Sequence, residues 1–292
     1  MLEINRATPS SAARARLGGQ TFSGTSMLDL DFAQLSDAGK TREHNEDYIG
    51  CAAPRTADEA RNRGWLFAVA DGVGGEDRGE VASATAVEAL LSSFWSSPAS
   101  QSPASLLQQL VQAANLKVYE TAAAAAPGGS SMSTTLVACL LRYDRATIAH
   151  VGDSRCYLVR RGQASRLTSD HTLVGEQVRM GLLSEQEAAE SERRHLLSRS
   201  LGSNMLVSAE IDEQALLPGD LLLLSSDGLH ASVSGKEIAA LTSKFDDLNR
   251  AARELVSLAS AKDGSDNISV QLIRVKEVER VGMYRGRPYK LR

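Results

Sequence analysis

Cysteine is scarce in this 292-residue chain, and its three copies, Cys51, Cys139 and Cys156, form no C-x-x-C pair. That number and spacing indicate neither a disulfide framework nor a thiolate zinc site. Cys139 and Cys156 sit in apolar runs and read as buried packing residues. No cysteine nucleophile motif is present, which disfavours a covalent thiol route. The chain lacks an uninterrupted apolar stretch of transmembrane length, and its start lacks the apolar segment of a signal peptide, so a reducing cytoplasm is the expected compartment. Charge of one sign is also missing: 32 basic against 36 acidic residues leave a net charge of -4. Nothing global therefore attracts nucleic acid or an anionic membrane. No basic, aromatic-interleaved groove is evident for a nucleic acid strand either. Any affinity for phosphate must be local.

What is present is enough apolar residue, 42% of the chain, to bury one large core. Residues 1–26 are rich in Ser, Ala, Gly and Arg without apolar periodicity and read as a flexible arm. Residues 27–275 read as one domain, and 276–292 as a basic tail carrying Arg285, Arg287, Lys290 and Arg292. Strand-like runs occupy Trp65–Ala70, Thr135–Leu141, Thr147–Val151, Cys156–Val159, Asp220–Leu224 and Ile268–Val275. Helical spacing marks Val81–Trp95 and a following segment with Leu106, Leu107, Leu110, Val111, Ala114 and Val118. Two more helical segments fall at Lys236–Leu241 and Asp247–Ala261. Strands, two helices, many strands, two helices and a last strand do not alternate as a doubly wound parallel fold would. The expected class is α+β: a central antiparallel β-sandwich flanked by helix pairs.

Five short segments each bring an aspartate to an end of an apolar run: Asn45-Glu46-Asp47, Asp71-Gly72-Val73-Gly74-Gly75, Gly152-Asp153-Ser154-Arg155, Ser226-Asp227-Gly228 and Asp266-Asn267. Each Asp alone could merely cap a turn. Together, at the strand ends of an antiparallel sandwich, they can share one edge. Clustered carboxylates repel and raise one another's pKa values unless something positive separates them, and hard divalent cations such as Mg²⁺ or Mn²⁺ serve that purpose. Two such cations about 4 Å apart activate a water and suit a phosphate ester as substrate. Arg42, five residues before Asp47, offers a guanidinium fork for that phosphate; the alternative is a surface salt bridge.

These motifs resemble, in order and spacing from about Gly39 to Val275, the PP2C-type metal-dependent serine/threonine protein phosphatases in their bacterial form. The matching segments include Arg42-Glu43-His44-Asn45-Glu46-Asp47, Thr168-Ser169-Asp170-His171 and Ser226-Asp227-Gly228-Leu229 beside those above. The resemblance implies that Asp71 bridges two Mn²⁺ or Mg²⁺ ions, that the Gly72 carbonyl binds one, and that Asp227 and Asp266 bind the other. It implies a third, weaker site with Asp153, and roles for Glu46 and Asp47 through metal-bound waters. It further implies that Arg42 grips the substrate phosphate while a water between the ions attacks phosphoserine or phosphothreonine. The implied partners are phosphorylated proteins, with a eukaryotic-like serine/threonine kinase among them, and no nucleic acid or membrane.

Two departures from the family pattern stand out. Val73 replaces a histidine that in eukaryotic relatives can protonate the leaving alkoxide, and Ser133 replaces a glycine. Thr168–Gly202 resembles the flap that covers the site in bacterial members, and Ser184 with Glu187 predicts a capping box and a short helix starting near Glu185. Arg155 is expected to orient Asp153 or brace its turn. His150 is expected inside the sheet, and neither it nor His230 is needed as a ligand.

Overall fold

The structure, a computed structural model, describes residues 27–73, 78–125, 132–284 and 287–290. The expected arm 1–26, together with Gly74 and Gly75, lies outside the described residues. The chain begins with β1 (Asp29–Asp37) and β2 (Asp47–Ala52), then α1 (Ala57–Asn62), whose Thr56 side chain accepts the Glu59 N–H. After β3 (Trp65–Val73) come two long helices, α2 (Gly79–Ser96) and α3 (Pro103–Ala125). Five strands follow: β4 (Ser133–Thr134), β5 (Leu136–Arg142), β6 (Arg145–Val151), β7 (Arg155–Arg160) and β8 (Gln163–Arg166). Then come α4 (Leu173–Arg179), α5 (Glu185–Glu190), β9 (Glu210–Ala215) and β10 (Leu221–Ser225). The one-turn α6 (Asp227–His230), α7 (Gly235–Lys244), α8 (Leu248–Lys262), β11 (Ile268–Glu277), β12 (Val281–Tyr284) and β13 (Arg287–Lys290) complete it.

Two antiparallel sheets stack. One has the order β1-β11-β10-β7-β8 and the other β2-β3-β5-β6-β9, with β4 paired to β3. Strand alternation explains how three apolar layers arise from one chain, since successive side chains point to opposite faces. In β3, Trp65, Phe67 and Val69 enter the layer between the sheets, while Leu66, Ala68 and Ala70 face α2 and α3. In β10, Leu222 and Leu224 enter the same inter-sheet layer, and Leu221 and Leu223 meet α7 and α8. Both faces of these strands are covered, so they read as continuous apolar runs. The helices contribute matching stripes: Val87, Leu90, Leu91 and Phe94 from α2, and Leu248, Ala252, Leu255 and Val256 from α8. The result is the expected α-β-β-α sandwich with helix pairs outside.

In residues 168–202, the segment expected as a flap, the helices are locally encoded. Thr172 caps α4 at Gly175 N, and Ser184 and Glu187 close the expected capping box on α5. The flap's neck is a bridge between Thr172 and Leu197, with Leu173 N donating to Leu196 O at 2.9 Å. His171 ties that neck to the sandwich, its N–H donating to Gly152 O at 2.9 Å and its carbonyl accepting from Ser198 N at 2.8 Å. Arg155 ties the same region to β7 by a two-point bond to Asp170, at 2.9 and 2.5 Å.

The segment expected as a tail departs from that reading. β11 runs on to Glu277, and a β12–β13 hairpin follows. Glu279, buried between them, pairs with Arg61 of α1.

Candidate active site

The alternation that packs β3 also aims its aspartate. Odd-numbered residues from Trp65 to Val69 face the inter-sheet layer, and Asp71 continues that series to the layer's end. Its backbone is held by Thr135, whose hydroxyl accepts the Asp71 N–H at 3.0 Å and whose N–H donates to Asp71 O at 2.8 Å. Asp47 lies opposite Asp71 in the β2–β3 register. From the other sheet, β10 ends at Ser225, so Asp227 opens α6 at the same edge, and Asp266 arrives just before β11. Asp153 sits in the turn between β6 and β7. Asp47, Asp153, Asp227 and Asp266 all act electrostatically on Asp71, so the five expected carboxylates do meet.

Close backbone approach makes room for them. A Cβ on Gly72 would lie 2.2 Å from Gly79 O, and a Cβ on Gly79 would lie 2.7 Å from the Glu46 carboxyl carbon. The start of α2 therefore presses β3 against Glu46, whose carbonyl accepts from Gly72 N at 3.1 Å and from the Ser83 hydroxyl at 2.6 Å. A Cβ on Gly228 would lie 2.1 Å from Asn267 O, which seats Asp227 beside Asp266.

The electrostatics are those of anions forced together. Burial first, then the charges of Asp47, Asp227, Asp153 and Asp266, hold Asp71 well above the carboxylate range. Burial pushes Asp47 up to about 7 against the hydrogen bond from Ser226, and pushes Asp153 up to about 7 with help from Asp227 and Asp170. Burial also acts on Asp227, but the His195 hydrogen bond, the charges of His230 and His195 and a hydrogen bond from Asp71 outweigh it and lower its value. Asp71 is thus pushed up and Asp227 down. Glu46 is raised by burial despite Arg42.

Arg42 reaches this edge with Nη2 at 2.9 Å from Asp266 Oδ2, and its head is half-exposed. Sequence reasoning missed His195, a flap residue whose Nδ1 lies 3.6 Å from Asp227 Oδ2. It also missed Ser226, whose hydroxyl donates to Asp47 Oδ2 at 2.7 Å. Neither had a local signal; their partners are 32 and 179 positions away. Val73, 39% exposed beside Gly72, brings no proton to the site. Ser133 is accommodated in β4, its hydroxyl donating to Val73 O at 3.4 Å. Burial pushes the thiols of Cys51 and Cys156 up to about 12, so neither supplies a thiolate nucleophile.

The donor set fits hard cations. It consists of carboxylate and carbonyl oxygens, and the buried Asp47 Oδ1 has no hydrogen-bond partner among the described residues. A second convergence, His150, His171 and Glu210, places donor atoms within 4.8 Å of one another but does not fit an ion. Gly152 N–H donates to His171 Nδ1 at 3.2 Å, so the neutral ring carries its proton on Nε2, which donates to Glu210 Oε2 at 3.3 Å. The two rings stack at 4.6 Å and 15°, so lone pairs lying in their planes cannot converge. Arg179 adds positive charge 3.7 Å from Glu210. The trio is a hydrogen-bonded clasp for the flap, and His150 is the sheet histidine expected from the sequence.

Cation binding requires deprotonated ligands, so it releases the protons held by Asp71 and Asp153 and, through the same field, by Asp47. The two groups at about 7 by themselves predict Mn²⁺ affinity about 100-fold weaker at pH 6 than at pH 8, with that loss falling as pH drops through 7, and the raised Asp71 steepens it further. Calorimetry in buffers of different ionisation enthalpy counts the protons. Binding without proton release would refute this electrostatic picture.

Residues 40–268 match the family described as protein phosphatase 2C. The chain is 34% identical over 256 residues to the serine/threonine phosphatase stp of Listeria innocua, covering 86% of this chain and 96% of that protein. The Streptococcus agalactiae serine/threonine phosphatase superposes with a TM-score of 0.76 at 31% identity, over 85% of this chain and all of that one. The catalytic domain of the phosphatase PstP, solved in complex with two manganese ions, superposes with a TM-score of 0.73 at 32% identity, over 86% of this chain and 100% of that one. Fold, edge chemistry and likeness converge: the chain belongs to the bacterial protein phosphatase 2C family of serine/threonine protein phosphatases.

Proposed function

We propose that the carboxylate edge holds two divalent cations, Mn²⁺ or Mg²⁺, with Asp71 between them, the Gly72 carbonyl on one, and Asp227 and Asp266 on the other. Asp153 with Asp227 would serve a third, weaker site. The observation that carries this reading is the burial of Asp47 and Asp153 in the field of Asp227, both acting on Asp71, with Asp47 Oδ1 left unpaired among the described residues. Isolated buried charges of this kind cost several kcal/mol each, about the scale that a bound dication offsets. When bound, the cations lower the pKa of water toward neutrality and neutralise phosphate oxygens.

The chain's own residues do the rest. Arg42, anchored on one side by Asp266, turns the remainder of its fork outward, where a phosphate monoester can be gripped by two points. Glu46 and Asp47 accept hydrogen bonds from water at the site and fix its orientation. Ser226 holds Asp47 in its rotamer. With no cysteine nucleophile motif and the thiols of Cys51 and Cys156 held up by burial, the phosphoryl group passes directly to water with no phosphoenzyme. The valine at 73 leaves the departing alkoxide to take its proton from water or another residue.

The substrates on this reading are phosphoserine and phosphothreonine proteins, including a eukaryotic-like kinase and its targets, in the cytoplasm. Among the described residues no helix is long and apolar enough to cross a membrane. The working unit is the domain 27–275 together with the end of β11 and the buried Glu279 that pairs with α1. The flap, with exposed Met180, Leu182 and Leu196, offers an apolar surface beside the site for choosing among them.

Purified protein should release phosphate from a phosphothreonine peptide only with added Mn²⁺, and Asp71→Asn should lower that rate by about 10²–10³-fold, the scale of losing a principal electrostatic group. Metal-independent release, or an active Asp71→Asn at saturating Mn²⁺, would contradict the assignment. Replacing Thr172 to Arg193 by a short linker should change the relative rates on different phosphopeptides. Unchanged ratios would remove the flap from substrate choice.

A further inference from the structure

The segment that presents Arg42 has no regular structure of its own. Residues 38–46 form only turns and bends between β1 and β2, and Lys40 to His44 are exposed. Such a segment loses its conformational freedom only if something outside it fixes the path. Asn267, 4% exposed and just before β11, does so with all of its amide. Its Nδ2 donates to Ala38 O at 3.0 Å and to His44 O at 3.0 Å. Its Oδ1 accepts from Glu46 N at 2.8 Å. These bonds reach both ends of the segment, and each goes to main chain, so they set its course whatever side chains it bears.

Neighbouring contacts complete the mould. Lys40 N donates to Gly264 O at 2.8 Å. Gly39, at a φ of +74°, brings its backbone so close that a Cβ would lie 2.2 Å from Asp266 O. Asp266 then receives Arg42 on its outer oxygen, while its other oxygen accepts from Asn267 N at 2.9 Å. The amide is the right group for the place. Two carbonyls demand two donors and one N–H demands an acceptor, and only a neutral carboxamide of this length offers both without adding charge beside Asp71 and Asp266.

We infer that Asn267 is a positioning residue for phosphate binding, acting through the segment 38–46 to hold Arg42 and Glu46 against the metal-bearing edge. The inference rests on the proposed role of Arg42 as the phosphate grip. Asp266 itself keeps its bond from the Asn267 main chain, so loss of the amide should reach phosphate far more than it reaches the cation.

The test combines two readouts in the full chain: competitive inhibition of phosphopeptide hydrolysis by inorganic phosphate, and Mn²⁺ affinity by calorimetry. Asn267→Ala removes the amide, and Asn267→Leu keeps its branched shape, loses both donors and the acceptor and adds no charge, so a fold intolerant of the cavity still permits the second variant. Each should weaken phosphate inhibition about tenfold or more, with Mn²⁺ affinity changed less than threefold and thermal unfolding cooperative. In an Arg42→Ala background the same substitutions should add nothing, because they act through that arginine. Unchanged phosphate inhibition in both variants would overturn the inference, as would an equal effect with Arg42 already removed. Phosphate inhibition that survives Arg42→Ala alone would instead sink the reading of Arg42, and the inference with it.

Discussion

Mutual repulsion among buried carboxylates is the constraint around which this fold is arranged. Asp47 and Asp153 are buried and Asp71 partly so, and burial is the largest influence on each of them. Only Arg42 and His195 make ion pairs with the cluster among the described residues, and both reach it from the rim. A sandwich of this size could close its end with leucine, as it does elsewhere. It spends stability on charge instead, which is the signature of a site built for cations. The apolar layers on both sides of each sheet supply the rigidity that keeps these groups from swinging apart.

Geometry at the edge follows from backbone contact more than from side-chain packing. Gly72 against Gly79, and Gly228 against Asn267, bring main chains closer than any Cβ permits. Each contact joins an element carrying a carboxylate to one that shapes its surroundings: α2 to β3, α6 to the start of β11. The flap is treated differently. Its helices carry their own caps, and its neck is fastened through His171 to Gly152, next to Asp153. Its far end returns to the sandwich at Leu201, which bridges Thr134 and is buried in the core.

Much of this was legible in the sequence, for identifiable reasons. The strand β3 and the helices α2 and α3 announce themselves because both faces or a full stripe are apolar. The Ser184–Glu187 box was readable because all its bonds are local. The aspartates were readable because each stands at the end of an apolar run, and their convergence followed from antiparallel topology. The edge strands were not: Glu210–Ala215 and Gln163–Arg166 carry polar faces and exist because a neighbouring ladder holds them. The β12–β13 hairpin was masked by its basic residues. Asn267 and Ser226 stand in the quoted motifs, but their bonds, like that of His195, were not readable because their partners lie tens to hundreds of positions away.

The central claim is that the edge is destabilising until cations neutralise it. Carboxyls whose folded values are raised bind more protons folded than unfolded, so they weaken the fold as pH rises from about 4 through about 7. The direct measurement is the thermal midpoint at pH 8 of wild type and Asp71→Asn, each with chelator and with excess Mn²⁺. The account predicts that Asp71→Asn is the more stable with chelator, and that Mn²⁺ raises the wild-type midpoint, through its linkage to folding, past that of the variant. A variant less stable with chelator, or two proteins stabilised equally by Mn²⁺, would contradict it.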